Sequence, residues 1–453
     1  MFYQEVGWFK GSLHQLVKKL ETRSYIMKSN PLSQSWRACP AYGAIDVLSQ
    51  ISDCAIIMHS PRGCAHYNVC FNMRVMYGSS RSKNSKFPLI ACSEISEDDI
   101  IFGGINKLKK IIIKVMELYK PKLLAIVSTC VPELIGEEIS DVIFPLKKNK
   151  IIILRCSGFS SRTHVDGILE AYKKLIDLIP EQDTSESPYV NIIGEKSTEP
   201  GGEADFKEIS TLLNQLGIKI LVRFVRSLTL DSLLELPKAR LNIPRCLEVA
   251  YEPCVLMEKR FKIPFIDQSF PLGIDETSRW LHLVAEYFGK ENKALKAIRE
   301  NERKYRAKCR SLEKYLRGKS IAISAGGGKA LTLVKFAHNI GMNVVYVGIY
   351  TSLRGRVLQE FISISRKINP EIIIEPSFYE EEEVLQELKP DIFISNPSHA
   401  FIALRSGIAY DAVHQAPQVG YAGTLNLLKR WVSAIKHPVY DLLGLKRMNR
   451  NVH

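Results

Sequence analysis

The ten cysteines of this 453-residue chain include no CxxC pair. Local structural zinc sites are built on that spacing, so any metal site here has to draw its ligands from distant segments. No apolar run approaches the ~18 residues that cross a bilayer, and the opening MFYQEVGWFKGSLHQLVKKL has neither an apolar h-region nor a small-residue cleavage site. The expected location is cytoplasmic, with no membrane partner. In that reducing compartment disulfides are disfavoured, which leaves burial, catalysis or metal binding for the thiols. No finger or RNP-like motif accompanies the net charge of +14, and basic residues fall in short helical patches such as KLKK (107–110) and RENERKYRAKCR (299–310). These read as solvated helix faces or a docking face for an acidic protein, with no nucleic-acid partner expected. Low-complexity tracts and short-period repeats are missing too.

What is present is ordinary globular composition, 46% apolar and 24% charged, in a length that suggests about three domains. From residue 120 onward short β-branched runs alternate with amphipathic stretches, the pattern of βαβ units around parallel sheets. LLAIV (123–127), the helix-like VPELIGEEISDVI (131–143), IIILRC (151–156) and a helix-like run from His164 to Ile179 form a first set. After the polar EQDTSESP (181–188) come the strand candidates YVNIIGE, IKILVRF, RLNIP and IPFID, with helices between. A charged connecting helix over 290–319 leads to SIAISAGGGKA, MNVVYVG, EIIIEP, DIFISN and IAYDAV. The expected fold class is α/β: three Rossmann-like domains over 36–183, 184–289 and 320–440, each a mainly parallel sheet flanked by helices. An N-terminal extension (1–35) and a C-terminal tail (441–453) complete the chain.

Four cysteines share one kind of position. Cys39 precedes Pro40 and a helical run, Cys64 closes the loop SPRG after AIIMH, Cys130 precedes Pro132, and Cys246 follows RLNIP and opens a helix. Free backbone N–H groups and the macrodipole at a helix N-terminus favour an anion, so thiols there are expected to have lowered pKa values and to serve as metal ligands or nucleophiles. They also fall at the carboxyl ends of strands, where open parallel sheets collect ligands. Cys54, Cys70, Cys92, Cys156, Cys254 and Cys309 sit mostly among apolar residues and read as inert.

The segments RACPAYGAIDVL (37–48), HSPRGCAHYN (59–68), SEISEDDIIFGG (93–104) and STCVPELIGEEI (128–139) together resemble the catalytic component of nitrogenase and its relatives. The resemblance spans about residues 36–440. It implies that Cys39, Cys64 and Cys130 hold an iron-sulfur cluster, P-cluster-like or 4Fe-4S, at the interface with a homologous beta-type subunit in an α2β2 heterotetramer. RLNIPRCLEVAYEPCVLMEKRFKIPF (240–265) and GIAYDAVHQ (407–415) look like the alpha-chain segments that bind the two ends of a large iron-sulfur active-site cofactor, with or without a heterometal. They map its ligands to Cys246 and His414. An ATP-hydrolysing iron-sulfur reductase homodimer would supply electrons, and a small molecule would be reduced at the cofactor. Metallocluster sites are thus implied between domains and at the subunit interface.

The pocket departs from the family pattern. After RCSGF (155–159), a gapless count gives His164 and Ile168 where nitrogenase carries glutamine and histidine; Asn72 replaces an arginine, Lys329 in AGGGKA stands where a second arginine would lie, Ala412 replaces a glutamine, and Ser398 and His399 occupy the homocitrate-lysine region. These changes argue against dinitrogen as substrate and leave a small molecule with a reducible multiple bond or a carbon-sulfur bond, as in methylthio-alkane reductase relatives. His164, His66 and His399 are candidate proton donors, since imidazoles titrate near cellular pH, and Lys329 is a candidate contact to an anionic cluster. Two alternatives remain open at this point: a scaffold for cofactor assembly, and a tetrapyrrole-reductase-type catalytic subunit.

Overall fold

The structure is a computed structural model that describes residues 5–22, 24, 39–78, 89–143, 150–159, 162–181, 188–195, 201–414 and 417–437. Its strands are β1 (Phe9–Ser12), β2 (Cys54–His59), β3 (Leu89–Cys92), β4 (Leu123–Ser128), β5 (Lys150–Arg155), β6 (Tyr189–Ile193), β7 (Lys219–Phe224), β8 (Leu241–Pro244), β9 (Ser320–Ala325), β10 (Asn343–Ile349), β11 (Glu371–Ile374), β12 (Ile392–Ser395) and β13 (Ala409–Ala412). They form three sheets, in the orders β3-β2-β4-β5, β7-β6-β8 and β1-β11-β10-β9-β12-β13. Every pair is parallel except β1 with β11. The α/β class with mainly parallel, helix-flanked sheets is therefore as expected.

The reason lies in burial on both faces. Parallel strands covered by helices on each side read as continuous apolar runs, and all six residues of β2 and of β4 are buried. Their period of two still divides the cores: Ile56, Met58, Ala125 and Val127 pack into one cluster, Ile57, Leu124 and Ile126 into the other. The third sheet does the same, with Ile321, Ile323, Ile372 and Ile374 on one face and Ala322, Tyr346, Ile373 and Phe393 on the other.

Three local expectations change. The run 131–143 is not one helix: Cys130–Leu134 and Ser140–Ile143 are separate, and Gly136 between them takes a left-handed φ of +73°. IPFID makes only an isolated bridge, Phe265 to Asn242, because Ile266 donates to the Asn242 carbonyl and the chain then turns away. β1 and β3 are strands beyond those expected, each at an edge of its sheet and paired with one neighbour. The charged segment is a helix over Glu291–Leu316 whose buried residues are Ala294, Ala297, Cys309 and Leu316. The boundary residues 182–187 and the tail lie outside the described residues.

One helix crossing fixes the region around Cys39. The helices Pro40–Leu48 and His164–Asp177 approach so closely that a Cβ on Gly43 would lie 1.8 Å from the His164 carbonyl oxygen, and one on Gly167 would lie 1.8 Å from that of Pro40. Gly43→Ala must push the helices apart and should cost at least about 2 kcal/mol, read as a drop in the denaturant midpoint.

Candidate metallocluster sites

The carboxyl edge of the first sheet gathers thiols. Cys39 is the extended N-cap residue of Pro40–Leu48, Cys64 lies in the first turn of the helix Arg62–Gly78, and Cys130 opens Cys130–Leu134 directly after β4. The loop after β5 closes over two of them: the Gly158 N–H donates to Cys130 Sγ at 3.2 Å, and a Cβ on Gly158 would stand 3.4 Å from Cys39 Cβ. Cys39 and Cys130 are half-buried and Cys64 is exposed. The expectation of a lowered thiol pKa fails at Cys64. Burial pushes it up, and so do the like charges of Cys39, Cys130 and Cys92. Among the described residues no three His, Cys, Asp or Glu side chains converge on a single-ion site.

The edge is braced from behind by a pair that the sequence reading missed. His59, fully buried, bonds Glu137 through Nε2 and Ser93 Oγ through Nδ1 at 2.9 Å, and Glu137 also accepts the Gly104 N–H. Both residues lie in the motifs quoted above, but only folding pairs them. Of the six cysteines read as inert, Cys54, Cys156, Cys254 and Cys309 are buried, the last with its thiol pushed up to about 11 by burial. Cys70 is exposed and Cys92 half-buried, a correction. Cys70 lies one helical turn beyond His66 on an exposed face, and Cys92 ends a strand instead of lying inside one.

Cys246 caps the helix Leu247–Phe261 as it leaves β8. Facing it is the start of the helix Gly327–Asn339, where a Cβ on Gly328 would lie 2.6 Å from Cys246 Sγ. The glycine therefore keeps space beside the sulfur. Glu248 holds the two helix starts together, accepting the Gly327 N–H at 3.1 Å and the Thr351 hydroxyl at 2.8 Å. Lys329 shares with Cys246 a cavity whose walls include Asp205, Arg245, Thr332 and Gln418. His414 follows β13 and its carbonyl accepts the Gly201 N–H at 3.1 Å. Gly201 starts the helix Gly202–Gln215, whose Asp205 accepts the Gln418 N–H at 2.7 Å and lies 3.8 Å from Arg245. The segments carrying the two expected ligands are thus joined through one helix start.

The remaining candidates are dispersed. His164 opens its helix at the glycine crossing, its ring 6.4 Å from that of Tyr42. His66 is exposed on the same helix as Cys64, with Nε2 3.4 Å from Cys70 Sγ, and is not part of the cavity wall at Cys246. His399 is fully buried between Tyr350 and Phe378, bonded through Nδ1 to the buried Glu381, and is not part of the cavity wall at Cys246. Ile168 and Ala412 are buried and Ser398 is exposed. The Asn72 side chain and Gln415 lie outside the described residues.

A mainly parallel α/β protein with one thiol cluster at a sheet edge and a separate cysteine beside a glycine clearing is of the kind that carries iron-sulfur groups. Residues 39–436 match the family of nitrogenase component 1 type oxidoreductases, and the chain belongs to that family. It is 30% identical to the nitrogenase iron-molybdenum cofactor biosynthesis protein NifE of Clostridium pasteurianum, over 90% of this chain and 89% of the relative. It is 27% identical to the nitrogenase molybdenum-iron protein alpha chain of Methanothermobacter marburgensis, again over 90% and 89%. The solved structure of nitrogenase Cp1 at pH 5 has the same fold, with a TM-score of 0.76 at 21% identity over 92% of this chain and 91% of that one. Among the described residues no helix is long and apolar enough to cross a membrane.

Gly328→Ala should close the space at Cys246 Sγ. Iodoacetamide labelling of Cys246, followed by peptide mass spectrometry, is expected to fall severalfold in the metal-free chain while labelling of Cys64 is unchanged.

Proposed function

We propose that the chain is the cofactor-bearing, alpha-type subunit of a nitrogenase-like reductase. The observation that carries this is the clearing at Cys246: the sulfur of a helix N-cap residue beside which Gly328 leaves room, with Lys329 and Arg245 in the same wall and the His414 segment joined to it through the helix Gly202–Gln215. Cys246 and His414 would hold the two ends of a large iron-sulfur cofactor, and Cys39, Cys64 and Cys130 an interface cluster. Bound, these groups supply electron transfer and low-potential reduction. The chain's own residues do the rest. The Gly158 N–H tunes the Cys130 sulfur, since hydrogen bonds to ligand sulfurs set cluster potentials. Lys329 and Arg245 bring positive charge to the wall beside Cys246. His164, at the crossing that also positions Cys39, would be the imidazole that carries protons.

A homologous beta-type subunit fits the thiol edge, because large apolar side chains stand exposed on the segments that start at the thiols: Tyr67 after Cys64, Leu134 after Cys130, Phe159 after Gly158, and Ile101 and Phe102 beyond β3. Exposed apolar groups gathered in this way mark an association surface. The electron donor is an ATP-hydrolysing iron-sulfur reductase, the location cytoplasmic, and the substrate a small molecule with a reducible multiple or carbon-sulfur bond.

The 30% identity to NifE favours a second reading, a scaffold on which a precursor cluster is assembled. His414 separates the two, since a scaffold has no need of a second permanent cofactor ligand. In the anaerobically purified complex, His414→Ala should keep the paramagnetic signal of the interface cluster and lose reduction of small substrates at least 100-fold. Undiminished turnover in that variant sinks the reductase assignment. A wild-type complex that passes its cluster to an acceptor protein and reduces nothing establishes the scaffold.

A further inference from the structure

The segment 290–319 carries twelve lysines and arginines against four glutamates, a net +8 of the chain's +14 in 30 of its 453 residues. Most of it is the helix Glu291–Leu316, whose buried residues are Ala294, Ala297, Cys309 and Leu316. That helix packs against the helices Gly202–Gln215, Ile274–Glu286 and Gly420–Lys436. None of the four bears a cysteine of the thiol edge.

The charge is gathered on one side. Lys296, Arg299, Arg303, Arg310 and Lys314 are all exposed, and their spacings of three, four, seven and four residues put them in a single row, because a helix returns to the same side about every 3.6 residues. From Lys296 to Lys314 the row is about 27 Å long at a rise of about 1.5 Å per residue, and Arg317, the C-cap residue, continues it. Of the four glutamates none falls on it. Glu302 and Glu313 are half-buried, Glu302 accepting from the Ser278 hydroxyl at 2.7 Å, and Glu291 and Glu300 lie off the row. Among the described residues no ion pair joins a cation of the row to a carboxylate; on this helix it is Arg306 that is so paired, with Asp275 and Glu302. Like charges three and four residues apart repel, so the row does not stabilise the helix that bears it.

We propose that this row is a docking surface for an acidic helix of another protein. The guanidinium forks of Arg299, Arg303 and Arg310 fit carboxylates two bonds at a time. A straight row is matched by the flank of a second helix with Asp or Glu at the same spacings, since helices packed about 20° from parallel stay in contact over several turns. Two features favour a protein over a nucleic acid. The helix is bedded against three neighbours and does not project as a helix must to enter a groove about 12 Å wide. Leu295, 45% exposed, and Tyr315, 36% exposed, stand near the two ends of the row and offer apolar contact that a phosphate backbone cannot use. The surface is separate from the thiol edge and does not depend on the reading of either cluster site.

The probe is a fluorescein-labelled synthetic helix of about 20 residues, long enough to span the row, with Glu on one face at these spacings. It is titrated with the purified full-length chain and read by anisotropy. Wild type should bind it, more weakly as salt rises. The combined change Arg299→Glu, Arg303→Glu and Arg310→Glu sets acids beside Lys296 and Lys314 and so spares the helix; it should weaken binding about tenfold or more. The same peptide with Lys in place of Glu should bind that variant and not wild type. Lys109→Glu, Lys110→Glu and Lys114→Glu together make the same change in net charge on exposed positions of the helix Ile105–Tyr119, and should leave binding as in wild type. Circular dichroism checks the fold of both variants, and Arg303→Gln alone should weaken binding severalfold. The proposal falls if the Glu peptide does not bind wild type, or if the two triple variants weaken binding equally, since net charge then accounts for it. It falls too if duplex DNA of matching length, or vesicles of phosphatidylserine and phosphatidylcholine, bind wild type more tightly than the peptide and lose that binding when Arg299, Arg303 and Arg310 are reversed.

Discussion

Parallel pairing is the constraint on which the rest of this molecule depends. When neighbouring strands run the same way, every strand of a sheet leaves by the same edge, and each exit is followed by a helix start. Residues that follow neighbouring strands are thereby brought to one edge, however far apart they are in the chain. Cys64 and Cys130, 66 positions apart in number, come to the same edge because β2 and β4 are paired from Cys54 with Leu123 to His59 with Ser128. Cys246 and the glycines after β9 follow strands of two different sheets, and it is packing between those sheets' helices that sets their helix starts face to face.

Close approach does the finer positioning, and three glycines make it possible. Gly43 and Gly167 let two helices cross at carbonyl contact, which sets Cys39 and His164 at one end of the crossing. Gly328 leaves room at the Cys246 sulfur. A methyl group at any of these would move the group facing it, because packed interiors have no slack of that size.

Buried polar pairs hold the loops that carry these residues. His59 with Glu137, Glu248 with Gly327 and Thr351, and Asp166 with Arg354 each tie segments separated by scores of residues. Burial acts to raise the Asp166 carboxyl, but the Arg354 guanidinium and the Thr163 N–H outweigh it and hold the group below its usual range. His399 with Glu381 is a fourth such pair, and it explains why a histidine near the pocket in sequence is spent on the far side of the third sheet, among Tyr346, Phe378 and Phe393.

The sequence by itself determined the class of fold, because strands buried on both faces are apolar without interruption and the helices between them keep a separate period. It also determined which cysteines stand at helix starts, since Pro40, Pro132 and the exits of the strands are local signals. Two edge strands escaped it, β1 and β3, each paired with one neighbour distant in the chain, and the break at Gly136 depends on a backbone angle. Only the tertiary structure decided which thiols share an edge. Cys92 reads like Cys54, a small apolar residue in a strand, and differs only because β3 ends at the edge where Cys64 and Cys130 lie and because Glu94 turns its N–H onto the sulfur. Strand order and register are set by contacts between residues distant in the chain, so no window along the sequence contains them.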